Sequence, residues 1–470
     1  MASAAFFVAS VLARAGSARP ADPATAPAAP AADTTPLVPG PATDAPMAGI
    51  SGDVTFVRSA NNLFLLFPSA QLQVDGAFVS TQSVKSGFTL RRVRLELAGW
   101  IGPGVYYTIA GDFASPPPTV ADPVTQSFLA TTDDYVALAP LGDLAILQAG
   151  QFDAPFTLEN RISDRYTDFI ERSLTVRAVG APTNKEVGVM LHGTDDRHLG
   201  YYSAGVFNGE GPNFRNLDNQ FDLIARGFFA PFGLLSVDRL KAITLGGSVW
   251  RGRHLNGLAF QSQTTAGGFV FFNPRWTTGR APISDVELHQ QGRVLAYAFE
   301  FDAPLTHRLG LRAEYVSRHQ QLAEADIDTT GSGMLRTLGN ATVDSFAAYG
   351  ELWFWIVGDD TLLPRPGVEL PVRLAAVNDG AAADGLMVAL RAEFLKEDLV
   401  SDTPAIADPN VATTRVMAGT FGVNYWYSKR FRFSLNYTLN AFHGTTENIR
   451  VIVASTPYVH ELLLRLAIAL

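Results

Sequence analysis

The final segment of the chain alternates strictly between two kinds of side chain. One set of positions is wholly apolar and runs to the last residue: Leu462, Leu464, Leu466, Ile468 and Leu470. A repeat of two residues indicates a β-strand, and soluble proteins seldom place a fully apolar strand face at a terminus, where chains usually fray into water. A strand of a membrane β-barrel meets lipid on one face and a polar lumen on the other, which places Arg465 in the lumen.

The same alternation recurs along the chain and predicts sixteen strands. They cover residues 64–80, 88–100, 105–114, 132–140, 144–152, 185–194, 200–207, 219–229, 241–253, 291–303, 309–318, 344–357, 385–397, 413–427, 431–443 and 457–470. Their connections alternate between long ones (153–184, 254–290, 319–343) and short ones (101–104, 141–143, 428–430), as in outer-membrane barrels. We therefore predict an all-β fold, a transmembrane antiparallel β-barrel of about sixteen strands over residues 51–470. The connection 358–384 breaks this rule and indicates a missed strand or an additional periplasmic segment.

Composition favours a membrane barrel over a water-soluble β-protein. Hydrophobic residues make up 47% of the 470 residues and charged residues only 17%, yet no stretch approaches the ~20 apolar residues of a membrane helix. A β-sandwich or propeller would also alternate, but with a charged outward face, and no repeat of ~40–50 residues marks propeller blades. The absence of cysteine rules out disulfides and thiolate metal sites. The net charge of -9 argues against nucleic-acid binding.

The N-terminal 50 residues read as an export signal followed by a spacer. Residues 4–12 form a short apolar core, and small-residue cleavage patterns follow it, so we expect a signal peptide over 1–18. The usual basic segment before the core is missing, and a buried or disordered apolar end is the alternative. Residues 19–50 are rich in Pro and Ala, a composition that cannot bury a core, and we expect a disordered periplasmic arm.

Several stretches, in this order, resemble the phosphate-selective porin O and P family. They are residues 90–99 (LRRVRLELAG), 149–159 (AGQFDAPFTLE), 169–174 (FIERSL), 185–193 (KEVGVMLHG), 206–211 (VFNGEG), 422–426 (GVNYW) and 464–466 (LRL). The resemblance covers roughly 88–470, densely to about 230. It implies a sixteen-stranded trimeric channel in the bacterial outer membrane, with a basic constriction that binds phosphate-like anions. The chain departs from the family in having only five lysines, so a Lys-rich vestibule is absent.

A set of arginines has the strand phase of the lumen and is the candidate anion-binding, pore-lining site. Its members are Arg92, Arg94, Arg226, Arg312, Arg391, Arg432 and Arg465. An arginine on the lipid face would cost ~2–4 kcal/mol near the midplane, and its fixed fork of donors suits oxyanions. Six carboxylates share the phase and could instead pair with the arginines and cancel their field: Glu96, Asp112, Glu300, Glu314, Glu351 and Glu393.

The connection 153–184 is too long for an ordinary hairpin loop. It carries the candidate constriction residues Glu159, Arg161, Arg165, Glu171, Arg172 and Arg177. Opposed charges around a constriction select solutes by field and size. The alternative is a loop that packs over the mouth or at a trimer contact.

These observations predict a channel rather than an enzyme. The eight histidines show no metal-type spacing, and no catalytic elbow or phosphate loop is present; a barrel lipase using His192 or His443 is the remaining enzymatic alternative. We expect a passive diffusion channel for small anions such as phosphate, with modest selectivity. A general non-selective porin or a non-conducting structural barrel is the alternative. The expected partners are membrane lipid, lipopolysaccharide, small anionic solutes and two further copies of the chain, with no nucleic acid, metal or cofactor.

Overall fold

The computed structural model describes residues 47–51, 54–81, 83–114, 130–180, 184–195, 199–235, 238–280, 283–326, 336–363, 366–368, 370–371, 384–402, 413–443 and 458–470. The expected signal peptide, and the expected arm up to residue 46, lie outside the described residues. Ala48–Ser51, at the end of the range for which disorder is expected, instead form a strand.

The described chain contains twenty-two strands and little helix. The strands are β1 (Ala48–Ser51), β2 (Val54–Arg58), β3 (Phe64–Val79), β4 (Gly87–Ile101), β5 (Val105–Asp112), β6 (Ala130–Thr131), β7 (Asp134–Leu138), β8 (Ile146–Asp153), β9 (Lys185–Thr194), β10 (Gly200–Phe207), β11 (Asp222–Phe229), β12 (Thr244–His254), β13 (Gln263–Thr264), β14 (Val270–Phe272), β15 (Arg275–Arg280), β16 (Ile283–Ala303), β17 (Leu309–Asp326), β18 (Arg336–Val357), β19 (Gly385–Ser401), β20 (Thr413–Ser428), β21 (Phe431–His443) and β22 (Tyr458–Ala469). Single helical turns lie at α1 (Leu174–Arg177) and α2 (Asp238–Lys241), with 3₁₀ turns at Gly142–Leu144, Glu159–Arg161 and Asp360–Leu362. No described helix has the length and apolar character needed to cross a membrane.

Sixteen strands close into an antiparallel barrel. They run from β3 through β4, β5, β7 to β12, and β16 to β22, and β22 returns to pair with β3. The closing register places Glu461 opposite Val79 and Ala469 opposite Gln71. Leu470 then exchanges two backbone hydrogen bonds with Ala70. Each of the sixteen predicted strands corresponds to one of these, which confirms the predicted fold.

Alternation along the strands separates a lipid-type face from a lumen face. On β21 and β22 the outward positions include Leu435, Tyr437 and Leu466, whereas Arg432 and Arg465 point inward and are buried. Large apolar side chains cover the outside of the barrel, as an outer-membrane barrel requires. The orientation predicted for the last strand is therefore confirmed.

The wall has a low arc and a tall arc. In the low arc, β7 has 5 residues and β8, β10 and β11 have 8 each. In the tall arc, β16, β17 and β18 have 21, 18 and 22 residues. We call the end with the short turns the periplasmic end and the opposite end the outer end, following the loop-length rule.

Three connections bring residues into the barrel. We name them the constriction loop (154–184), the aromatic loop (255–282) and the mouth segment (358–384). The described part of the mouth segment contains a 3₁₀ turn and no strand, so of the two alternatives for this connection the additional periplasmic segment fits. The main buried apolar cluster lies inside the barrel at the outer half, and Phe156, Phe269 and Trp250 belong to it.

Candidate functional site in the barrel lumen

The constriction loop lies inside the lumen because the wall supplies acceptors for its backbone. The N–H groups of Leu158 and Glu159 donate to the two carboxylate oxygens of Glu314 on β17, at 2.8 and 2.7 Å. Further along, the Leu174 N–H donates to Glu393 on β19 at 2.7 Å, and the Ile170 N–H donates to the Asn436 side chain on β21 at 2.7 Å. Peptide groups removed from water need such partners, so inward-facing polar residues on distant strands fix the path of the loop.

Most of the wall arginines bind this loop. Arg312 pairs with Asp168 at 3.0 Å, Arg391 pairs with Glu159 at 3.2 Å, and Arg92 pairs with Asp164 at 3.0 Å. The remaining contacts are Arg94 with Asp164 at 3.7 Å, Arg432 with the Thr167 carbonyl at 2.9 Å, and Arg465 with the Ile170 carbonyl at 2.7 Å. The arginines therefore act as a docking surface for the loop, with the constriction formed on the loop's other side.

Arg226 belongs to a different contact. Its guanidinium makes two hydrogen bonds to Glu300, at 3.0 and 2.7 Å, and a third to the Gly367 carbonyl of the mouth segment at 2.8 Å. The side chain is fully enclosed, with 0% of its area exposed. Arg226 therefore holds the mouth segment, whose Leu370 packs near Tyr106 across the periplasmic opening.

The six charged loop residues chosen from the sequence divide into internal and cavity-facing groups. Glu171 is internal and pairs with Arg91 and Arg465 on the wall. Glu159 is buried, accepting a hydrogen bond from the Ser173 N–H at 2.8 Å as well as pairing with Arg391. Arg177 donates to the carbonyl oxygens of Arg172 and of Thr264 on the aromatic loop. Arg161, Arg165 and Arg172 line the open cavity described below.

Arg91 is a site residue that strand alternation hides. Strict alternation would place Arg91 toward lipid, but the β3–β4 register shifts between Gln73 and Val74, so a β-bulge lies at Arg91. Its side chain reaches Glu171 with two hydrogen bonds, at 2.9 and 3.3 Å. Bulges commonly re-aim a side chain in this way, and three charged residues in four positions at 91–94 are the signal that could have revealed it.

The loop carboxylates that meet these arginines have lowered pKa values. Burial favours the neutral acid, but Arg91 and then Arg465 outweigh burial and hold the pKa of Glu171 at about 2. Burial likewise opposes ionisation of Asp164, and Arg92, Arg172 and Arg94 together lower its pKa well below the ordinary value. Both carboxylates are therefore charged throughout the neutral and mildly acidic range.

A cavity of about 1470 Å³ lies beside the constriction loop, against β4, β5 and β7 and the periplasmic ends of β16, β17 and β18. It extends from Lys429 and Leu470 at the periplasmic end to Asp153 and Lys185 at the outer ends of β8 and β9. Its basic lining residues are Arg94, Arg161, Arg165, Arg172, Lys185, Lys241, Arg312, Lys429 and Arg430. Its acidic lining residues are Glu96, Asp133, Asp153, Asp164, Asp168, Asp302 and Asp360.

Three of the five lysines line this cavity: Lys185, Lys241 and Lys429. Lys185 is paired with Asp133 at 2.7 Å and with Asp153 at 2.9 Å. Strand phase alone does not place these residues, because they lie at strand ends and in turns that also face the cavity.

The arrangement can attract and orient small charged solutes but shows no bond-making chemistry. Basic and acidic groups face one another across a water-accessible space, the pattern that sets field and size selectivity in pores. His192 points inward and shares a hydrogen bond with Gln148 at 3.2 Å. Within the described residues, no three His, Asp or Glu side chains gather in a way that could hold a metal ion.

A closed sixteen-stranded barrel with an apolar exterior and a loop folded into its lumen is the architecture of a bacterial outer-membrane barrel. The model of the family described as phosphate-selective porin O and P matches residues 70–242, which confirms the resemblance carried by the five motifs between residues 90 and 211. The motifs at 422–426 and 464–466 lie beyond the matched residues. The match and the fold place the protein in the bacterial outer membrane and support a channel rather than an enzyme.

Solved structures share the fold at low sequence identity. Outer-membrane-expressed OmpT of Vibrio cholerae aligns with a TM-score of 0.52 at 9% identity, covering 88% of this chain and 100% of that one. The loop L8 deletion mutant of the same protein also gives 0.52 at 9% identity, covering 87% and 100%. The in-vitro folded trimer form gives 0.50 at 9% identity, covering 86% and 99%. No curated protein sequence matches this chain.

Proposed function

We propose that the protein is a passive diffusion channel for small anions such as phosphate, with modest selectivity. The observation that carries this proposal is the lining of the lumen cavity, in which nine basic side chains face seven acidic ones. A small excess of positive charge raises the local concentration of anions without excluding cations.

The pairing of the wall arginines argues for modest selectivity. Arg312 contacts three carboxylates, from Asp302, Glu351 and Asp168, so its charge is balanced locally. Arg165 is less closely paired: it donates to the Ser69 hydroxyl at 2.9 Å and lies 3.9 Å from Glu96. Selectivity should therefore depend on the cavity-facing loop arginines more than on the wall arginines.

The same barrel supports assembly as a homotrimer. A membrane-spanning β-strand needs ~9–11 residues, and β7, β8, β10 and β11 are shorter than that. We infer that neighbouring copies cover the low arc, whereas the tall arc contacts membrane lipid and lipopolysaccharide. A trimer form is recorded for the similar OmpT of Vibrio cholerae.

Conductance across planar bilayers tests the proposal. The wild-type protein should conduct, and its reversal potential under a potassium chloride gradient should lie on the anion side. Arg165→Gln should move that potential toward cations, whereas Arg415→Gln, an exposed arginine on the outside of β20, should leave it unchanged. Replacement of chloride by phosphate measures whether phosphate permeates. An unchanged potential in Arg165→Gln would contradict the assigned role of the loop arginines.

A non-conducting structural barrel is the second candidate, and one observation favours it. The aromatic loop fills the outer half of the lumen with Phe260, Phe269, Phe271 and Phe272, all buried. Gly367 and Leu370, in the described part of the mouth segment, contact Arg226 and the apolar cluster around Tyr106. Absence of any conductance from correctly folded protein would favour this candidate over the channel.

A further inference from the structure

The outward face of β12 and its neighbour β16 changes from apolar to charged near the outer end. On β12, Val249 is the last apolar outward residue, and Arg251 and Arg253 follow it. On the neighbouring β16, Leu295 is the last, and Arg293 follows toward the outer end. This change corresponds to the edge of the apolar band, where the barrel wall meets lipid headgroups.

The three arginines form a concentrated positive patch. Arg253 lies directly opposite Arg293 in the β12–β16 ladder, and Arg251, opposite Leu295, is diagonal to Arg293. All three are exposed. Like charges directly opposite one another destabilise a sheet. The contacts of the described residues do not offset the repulsion between Arg253 and Arg293.

No neighbouring acid offsets the patch in the part of the chain that the structure describes. The side chains of Arg251, Arg253 and Arg293 make no ion pair or hydrogen bond there. Two other basic groups at this level are paired: His319 lies 2.7 Å from Asp344, and Lys396 pairs with Asp398. Arg415, opposite Lys396, is exposed but stands alone, whereas the patch brings three arginines together.

The backbone fixes the position of Arg293. The β16–β17 register shifts between Gln290 and Val294, which marks a β-bulge. Gly292 within it has φ +120°, a backbone conformation that residues other than glycine rarely adopt. The Arg293 N–H donates to the Gln321 side-chain oxygen at 2.9 Å. A bulge that re-aims a residue is a built feature, so the opposition of Arg293 and Arg253 follows from the fold.

We propose that Arg251, Arg253 and Arg293 form a binding site for the phosphate groups of lipopolysaccharide in the outer leaflet. Guanidinium groups bind phosphate with paired, charge-assisted hydrogen bonds, and one phosphate between Arg253 and Arg293 removes their repulsion. The exposed side chain of Leu295 lies directly beside Arg251, where it can contact acyl chains. This inference deepens the proposed contact with lipid and does not depend on conduction.

Binding of phosphorylated and dephosphorylated lipid A to the full chain in detergent tests the site. The wild-type protein should bind the phosphorylated form about tenfold more tightly, the effect of roughly one charge-assisted hydrogen bond, and added salt should reduce the preference. Arg253→Gln with Arg293→Gln should abolish the preference. Arg308→Gln, at an exposed arginine of the β16–β17 periplasmic turn, should retain it.

Three results would overturn the proposal. They are equal binding of both lipids by the wild type, an unchanged preference in the double variant, or an equal loss in Arg308→Gln. Heat modifiability on gels verifies that each variant is folded. Conductance of the double variant should match the wild type, so failure of this site and failure of the channel proposal are distinguishable.

Discussion

The constriction loop and the aromatic loop both fold into the barrel but are held by different forces. The constriction loop meets arginines and carboxylates on β4, β17, β19, β21 and β22. The aromatic loop instead packs Phe269 and Phe271 against Phe442, with ring centroids 5.4 and 5.9 Å apart. Ion pairs and hydrogen bonds hold the constriction loop beside the cavity, whereas apolar packing is the main contact of the aromatic loop in the outer half of the lumen.

This division explains why the arginines at lumen phase form no free anion ladder. Each charge that enters a partly dehydrated lumen needs a partner, since an unpaired buried charge is costly. The constriction loop supplies many of those partners, and wall carboxylates supply others, such as Glu300 for Arg226 and Asp75 for Arg465. The net field left for solutes comes from the charged side chains that line the cavity. The aromatic loop makes fewer polar contacts with the wall. Gln263 donates to Glu397, and Thr265 and Gly267 donate to Glu461, whereas the other buried groups of this loop are mostly apolar.

Removal of a docking arginine should have the largest effect. Arg312→Ala leaves Asp302, Asp168 and Glu351 buried without their shared cation, and we expect a loss of about 4 kcal/mol in unfolding free energy. Urea unfolding in detergent micelles measures it. Arg415→Ala, on the outside of β20, should change stability by less than about 1 kcal/mol. A small effect of Arg312→Ala would mean that charge is not what holds the constriction loop.

Truncation of a buried phenylalanine side chain in the aromatic loop should have the second largest effect on stability. Phe269 is 1% exposed, and Phe269→Ala should cost about 3 kcal/mol through lost burial and a cavity. The released loop should also raise single-channel conductance and make its own amides exchange faster with solvent. Phe299→Ala, at a residue 62% exposed on the outer wall, is the matched control. Unchanged conductance would show that the aromatic loop does not limit permeation.

The sequence could predict the barrel strands and their inward-facing residues better than the loops that fold into the lumen. All sixteen barrel strands and the inward phase of Arg92, Arg312 and Arg465 follow from a two-residue period, which is a local signal. The partners of those arginines do not, because the contact of Arg465 with Ile170 joins residues 295 apart in the chain. The role of Arg91 was not predicted because a one-residue bulge inverts the strand phase. The position of the aromatic loop was not predicted because four phenylalanines without alternation indicate burial but not where in the barrel they are buried.

Acid should release the constriction loop before the aromatic loop. The pKa of Glu171 is lowered to about 2 in the folded protein, so its contribution to stability is complete above its ordinary value of 4.5 and is lost as pH falls toward 2. After allowance for solvent screening, that contribution is about 2 kcal/mol. Hydrogen exchange and cleavage by an acid-active protease should show protected loop amides at pH 5 and exposed ones near pH 2. Equal exposure of the aromatic loop at pH 2 would contradict the separation of the two loops.

The smallest effect should come from the contacts that join the loops. Arg177 donates to the Thr264 carbonyl at 2.5 Å, and Gln263 donates to the Ala178 carbonyl at 3.4 Å and to Glu397 at 2.7 Å. Arg177→Ala should cost about 1 kcal/mol, the usual value for one hydrogen bond, and Gln263→Ala about 2 kcal/mol because it also removes a donor from the buried carboxylate of Glu397. If the loops are independent units joined at their edge, the two costs should add within about 0.5 kcal/mol in a double-mutant cycle. A larger coupling energy would show that the two loops bind the barrel wall as one cooperative unit. The charged contacts and the apolar contacts would then belong to two sides of that single unit.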